Sequence, residues 1–457
     1  MDRLSPLDAW FLHLERDVQQ LHVGSALLFD GPAPAYDELC DSIEAKLLQV
    51  PRYRQRVRRV PLELGRPVWV DDPGFDVRNH VRHTTLRAPG TERQLRNLAA
   101  RLMSEHLDLS RPLWEMWLVQ RVVDDRWALI NKAHHAMIDG ISGTDIMSVL
   151  LDREPHPERP AQTASWQPAP QPSSIELVTA STAEALRSPI ELGRMTAHAL
   201  RRPRQLVAQT VGQTYGLARI GVKVARPESV LDGPIGPRRR WGWADADLDD
   251  VKQVKNALGG TVNDVVLAAI TGGLRTFLAA RGEPVDGRTI RSMVPVSTRR
   301  PGDSGPGNQV SAVFADLPIG VTDPAERLAS ITRQLSGLKR SGMAVGVDSM
   351  LTASEYLPST LFALGARVAA RFPQRTISTV TTNVPGPQQP LYLLGRRMTR
   401  MYPYIPLGMD LRVTIGIMSY AGELTFGVTG DHDAVPDLEV LCRGIESAAA
   451  ELVALVG

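Results

Sequence analysis

Residues 131–140 read NKAHHAMIDG, with two adjacent histidines five and four residues ahead of Asp139. The run before them, Trp127 to Ala133, is rich in strand formers. The run after them, Gly140 to Leu151 (GISGTDIMSVLL), has helical spacing. Side chains of neighbouring strand residues point to opposite faces. His134 and His135 therefore cannot enter one cavity by simple extension: one faces it while the other packs or supports the turn. Asp139 is able to hold an imidazole, the local backbone or an arginine, and Gly140 permits a positive φ or a close approach. A metal site needs three or four ligands with a supporting shell. The stretch offers at most His, His and Asp, with no distant partner, so no metal is expected. Two readings stay open on spacing alone. One is a strand end with hydrogen-bonded histidines. The other is a general base, since imidazole titrates near neutrality and can take a proton from an alcohol and return it to a leaving group.

Working outward, the same hairpin begins at Pro112-Leu113-Trp114, where PLWEMWLVQRVV and RWALINKAHH flank Asp124-Asp125. Upstream, Leu21–Phe29 reads as a strand ended by Asp30-Gly31-Pro32, and Tyr36–Leu48 and Glu92–His106 read as helices. From 154 the composition changes. EPHPERPAQTASWQPAPQPSS is a Pro-, Gln- and Ser-rich linker, and Ile175 to Arg226 behind it is helical with a break at Pro203. From Ser173 to Arg226 there are 8 Arg or Lys against 3 Glu. This stretch reads as a solvated crossover, with a basic amphipathic surface on a membrane or lipid droplet as the alternative. From 241 onward helices (Leu248–Gly259, Thr261–Arg281) and strands (Thr289–Val296, Asn308–Leu317, Thr376–Thr382) return. A hairpin follows over Leu411–Tyr420, Ala421-Gly422 and Glu423–Thr429, and Pro436 opens a last helix. The chain thus divides into 1–153, a linker and crossover over 154–240, and 241–457.

The bulk numbers agree with two α/β units. The 457 residues exceed one ordinary domain, and 43% are apolar, enough for sizeable cores. A net charge of +2 gives no argument for nucleic acid. Arg outnumbers Lys 46 to 6, as GC-rich bacterial genomes produce. Cys40 and Cys442 lie far apart and form no disulfide framework, which points to a reducing, cytoplasmic compartment. The start, MDRLSPLDAWFLHLERD, is broken by charges too often for a signal segment. No uninterrupted apolar run reaches the ~18 residues of a spanning helix. The expectation is a chain that is soluble or lies on the inner membrane face or on lipid inclusions.

HHAMIDG resembles the HHxxxDG signature of acyltransferases related to chloramphenicol acetyltransferase. Pro112-Leu113-Trp114 resembles the PLW motif of the wax ester synthase/diacylglycerol acyltransferases, Asn263-Asp264 in TVNDVVLAA their ND motif, and Asn383-Val384-Pro385-Gly386-Pro387 their NVPGP motif. The resemblance runs nearly end to end. It implies an α/β (α+β) fold of two chloramphenicol-acetyltransferase-like domains with the signature at their interface, in a tunnel reached from both faces. It also implies an acyl-CoA-dependent O-acyltransferase with His135 as general base, Asp139 holding the loop, and no cofactor, acyl-CoA being a co-substrate. The acceptor is diacylglycerol or a long-chain alcohol; the Arg-rich composition ranks triacylglycerol first.

Each added motif also has a plainer reading. Thr261-x-x-Asp264 is a capping-box pattern that by itself explains Asp264, whereas Asn263 in the first turn is less well explained and leans towards the site. Pro385 and Gly386 fix a rigid turn. Pro112-Leu113-Trp114 packs at the hairpin base unless it lines the acyl channel. Two other classes stand beside the acyl-CoA enzyme: a condensation- or polyketide-type acyltransferase with a carrier-bound donor, and a non-catalytic lipid-binding relative.

Overall fold

The computed structural model describes residues 2–15, 17–137, 145–157, 166–183, 229–297, 310–340 and 376–457. Asp139, Gly140, the Pro203 break and nearly all of the basic stretch to Arg226 lie outside the described residues.

Strands, in chain order, are β1 (Asp2–Arg3), β2 (His22–Asp30), β3 (Gln55–Arg58), β4 (Val68–Asp71), β5 (Val81–Thr85), β6 (Trp114–Val122), β7 (Arg126–His134), β8 (Arg239–Asp247), β9 (Ile290–Ser297), β10 (Val310–Leu317), β11 (Thr379–Pro385), β12 (Tyr392–Leu393), β13 (Arg396–Tyr404), β14 (Val413–Tyr420) and β15 (Glu423–Asp431). They build two six-stranded sheets. One has the order β12-β13-β2-β7-β6-β5, the other β10-β9-β11-β14-β15-β8; β1, β4 and β3 form a small third sheet.

Both expected hairpins are present. Asp124 and Asp125 carry positive φ between β6 and β7, a conformation that short polar side chains tolerate. Ala421 and Gly422 do the same between β14 and β15, where Tyr420 pairs with Glu423. The two-residue loop between β14 and β15 matches the strand twist, while three residues, Val123 to Asp125, join β6 to β7. The strand read at Leu21–Phe29 runs His22–Asp30, and the helix read at Thr261–Arg281 runs Val262–Ala280. That helix is long and apolar enough, by composition, to cross a membrane. Val265 to Leu274 and Phe277-Leu278 are nevertheless buried, and it packs against the last helix, Leu438–Val453, in the C-terminal core.

The sheets do not follow the chain's division. Strand β13, inside the stretch 241–457 read as one unit, pairs with β2 and so belongs to the N-terminal sheet, Tyr404 opposite Gly24 and Met401 opposite Leu27. The seam is tight. A Cβ on Gly427 of β15 would lie 1.6 Å from the Pro403 carbonyl oxygen, so only glycine lets β15 pass under β13. Trp241, Trp243, Tyr402 and Tyr404 fill the space between the sheets, with Trp243 stacked on Tyr402 at 4.0 Å.

The Pro-rich linker is docked where it is described. Arg58 donates to the Pro172 carbonyl at 2.6 Å, and the Ala169 N–H donates to Asp71 Oδ2 at 2.9 Å. The helical segment 174–183 then buries Leu177 against Val60, Val68 and Val70 of the small sheet's flank.

Candidate functional site

The two histidines part company at the end of β7. His134 is still a strand residue, opposite His22 on β2, and is fully buried. Its N–H donates to the Leu113 carbonyl at 2.9 Å. Its ring turns back on its own chain: Nδ1 accepts the Ala136 N–H at 3.0 Å. His135 leaves the sheet, its N–H donating to the Leu21 carbonyl at 2.8 Å, and opens a 3₁₀ turn over His135–Met137. The side chain of His135 is half-buried and stacks on Phe11, ring centroids 3.9 Å apart at 29°. The two side chains separate as strand alternation requires, and the Ala136 N–H, donated to the His134 ring, ties down the turn that carries His135.

Burial pushes the His135 imidazole down to about 4, with a smaller contribution from His134. The ring is therefore neutral at neutral pH, the form a general base needs. Nδ1 is buried and has no hydrogen-bond partner among the described residues.

Pro112, Leu113 and Trp114 are buried and pack at the hairpin base. Trp114 stacks on His80 at 4.6 Å and donates its indole N–H to the Tyr53 carbonyl at 2.8 Å. The motif serves the site through the backbone, since Leu113 holds the N–H of His134.

The C-terminal motifs come together. Thr261 caps the helix Val262–Ala280, and Asp264 Oδ2 accepts the Thr261 N–H at 2.8 Å in a reciprocal capping box. Asp264 is thereby used by the helix end. Asn263 points elsewhere: its Oδ1 accepts from Asn383 Nδ2 of β11 at 3.4 Å, and both side chains are half-buried. Gly386 follows Pro385 at the strand end, where a Cβ would lie 2.2 Å from the Ser419 carbonyl oxygen. Among the described residues no hydrogen bond or ion pair joins these asparagines to His134 or His135. The link is apolar: Ala136 and Met137 of the turn belong to one packed cluster with Met418 and Tyr420 of β14, against which Phe11 and Val384 pack. The two halves thus meet at the turn after the histidines.

Sequence reasoning missed the first helix, Pro6–Leu14, which supplies Phe11 and ends at Glu15. Glu15 lies within 3.6 Å of three histidines that are far apart in the chain, and no local pattern marks a carboxylate as buried. Among the described residues no group of His, Cys, Asp or Glu has the arrangement of a metal site.

Two mixed α/β units, the later stretch of chain lending β13 to the N-terminal sheet, with a histidine pair at their junction, define the fold of chloramphenicol-acetyltransferase-like acyltransferases. The solved wax ester synthase/diacylglycerol acyltransferase from Marinobacter aquaeolei VT8 superposes with a TM-score of 0.68 at 27% identity, covering 100% of both chains. The first condensation domain of the calcium-dependent antibiotic synthetase superposes with a TM-score of 0.60 at 16% identity over 100% of this chain and 97% of that one, a likeness of fold alone. The family model described as "Wax ester synthase/diacylglycerol acyltransferase catalytic domain" matches residues 4–266, and that of the "WS/DGAT C-terminal domain" matches 306–453. A Mycobacterium tuberculosis (strain ATCC 25618 / H37Rv) protein named "Probable diacyglycerol O-acyltransferase tgs1" is 37% identical over 100% of this chain and 96% of its own length. Another from that strain, tgs2 of the same description, is 33% identical over the whole of both. The chain belongs to the wax ester synthase/diacylglycerol acyltransferase family and is an acyltransferase.

Proposed function

We propose that this acyltransferase moves a fatty acyl group from acyl-CoA to the hydroxyl of diacylglycerol, giving triacylglycerol, and that long-chain alcohols serve as second acceptors, giving wax esters. The observation that carries this reading is the neutral, half-buried His135 at the junction of the two halves. His135 Nε2 takes the proton of the acceptor hydroxyl. The alkoxide-like oxygen attacks the thioester carbonyl, and the tetrahedral oxyanion collapses with cleavage of the C–S bond. The proton passes from His135 to the departing CoA sulfur. The step balances without a covalent acyl-enzyme, a metal or a cofactor. A site walled from both halves keeps out water, which competes as acceptor. Asn263 and Asn383, amides facing each other across the C-terminal half, are the polar groups we assign to substrate positioning. Working on such lipids, the cytoplasmic chain sits peripherally on the membrane or on lipid inclusions.

The test is thiol release from palmitoyl-CoA by the purified full chain, with diacylglycerol or hexadecanol as acceptor. Acceptor-dependent CoA release that survives EDTA supports the reading. Transfer only from a carrier-bound donor, or lipid binding without turnover, overturns it.

A further inference from the structure

The reaction above uses His135; it leaves unused a buried carboxylate on the opposite side of the same peptide. Glu15 closes the first helix, its N–H donating to the Phe11 carbonyl at 3.2 Å. Its side chain is only 10% exposed. Glu15 Oε2 lies 3.5 Å from His134 Nε2, while Oε1 lies 3.6 Å from His22 Nε2 and 3.6 Å from His106 Nδ1. Burial alone raises a carboxyl, but the contacts with His134 and His22 outweigh it and hold Glu15 well below the usual carboxylate range. His22, fully buried, is pushed down to about 4 by burial. The centre of the cluster is therefore a fixed negative charge beside the neutral ring of His22.

A neutral imidazole carries one N–H and one lone pair. A lone pair aimed at a carboxylate is repelled; an N–H is attracted. His134 Nδ1 is committed as an acceptor, because the Ala136 N–H points at it. Both constraints select the same tautomer, with hydrogen on Nε2. The opposite tautomer would set N–H against N–H at Ala136 and lone pair against carboxylate at Glu15. The Ala136 bond in turn sits one residue past His135 and caps the start of the 3₁₀ turn that presents it.

We infer that Glu15 is a positioning residue for the acyl transfer: through His134 it locks the turn that carries the base. The first helix would then orient both histidines, Phe11 on one ring and Glu15 beneath the other. This inference rests on His135 being the base, and its test separates the two ideas.

The experiment uses the full chain and three variants, Glu15→Gln, His134→Asn and the double variant, with His135→Ala in parallel. Asparagine places an oxygen where Nδ1 was, so His134→Asn keeps an acceptor for the Ala136 N–H but has no tautomer to select. Glu15→Gln removes the charge and should lower kcat about 10- to 100-fold, by analogy with partners that orient metal-bound histidines, with KM for palmitoyl-CoA little changed. Adding Glu15→Gln to His134→Asn should cost no further activity. Side-chain nitrogen NMR of histidine-labelled protein should show His134 as the Nε2–H tautomer in the native chain and mixed in Glu15→Gln. Normal kcat in Glu15→Gln, additive losses in the double variant, or an unchanged His134 tautomer would each overturn the inference. Retained turnover in His135→Ala would instead sink the base assignment, and the tautomer spectra would still decide the role of Glu15.

Discussion

The two six-stranded sheets each contain a closed hairpin, β14–β15 through Ala421-Gly422 and β6–β7 through Asp124-Asp125, and differ at what leaves them. In the C-terminal sheet, β14 and β15 are buried along nearly their whole length. In the N-terminal sheet, the far end of β7 stops at His134 and passes directly into the turn His135–Met137. The proposed base sits where a strand leaves its sheet with the backbone still pinned. The C-terminal half supplies a wall and a pair of amides.

That asymmetry is most directly broken by His135→Ala, which should lower kcat by about 10²–10⁴-fold, the usual contribution of a general base. The melting temperature should stay near native, as measured by CD alongside the thiol-release assay. Equal losses on altering the C-terminal amides would mean that the halves share the chemistry. Next in size is Gly427→Ala, which drives a methyl into the Pro403 carbonyl at the seam. Overpacking of this kind costs about 1–3 kcal/mol or more, so urea unfolding should shift markedly, and an unshifted midpoint would show that the seam yields freely.

Acid should act on the N-terminal half. Unfolded, histidine takes up its proton near pH 6.5; folded, His22 and His135 resist until about 4. Between those values the unfolded chain binds more protons, so stability is full above about pH 6.5 and falls as pH drops towards 4. For His22 the loss reaches on the order of 3 kcal/mol. Melting curves from pH 8 to 4.5 should decline in the native chain and decline less in His22→Gln, where His135 still contributes; parallel declines would remove His22 from the explanation. Smallest is the coupling between Asn263 and Asn383. A double-mutant cycle with alanine should give about 0.5–1 kcal/mol in stability, as a half-exposed amide bond does, and full additivity would say that they do not touch.

Much of this is written locally. The hairpins announce themselves through Asp124-Asp125 and Ala421-Gly422, and the capping box through Thr261 and Asp264. The four motifs mark where to look. Strand β13 is not legible. Its sequence, RRMTRMYPY, carries four charges or prolines in nine residues. Pro403 argues against a strand because it cannot donate to a ladder. Its partner, β2, lies more than 360 residues earlier. The helix Pro324–Arg340 and strand β8 were likewise unread, since their apolar faces gain meaning only against the C-terminal core. The Glu15 cluster escapes for a related reason: residues 15, 22, 106 and 134 become neighbours only once β2 pairs with β7.

The strand that the later stretch of chain lends to the N-terminal sheet bears on how this protein can be divided. Expressed alone, residues 1–183 would leave β2 with its edge from Gly24 to Phe29 bare, beside Ala26 and Leu28, which β13 and the tryptophans now help cover. Open apolar edges of that length recruit other strands and aggregate. Fragments cut between the halves should therefore be insoluble separately and recover only when made together, each acting as the other's missing strand or missing floor.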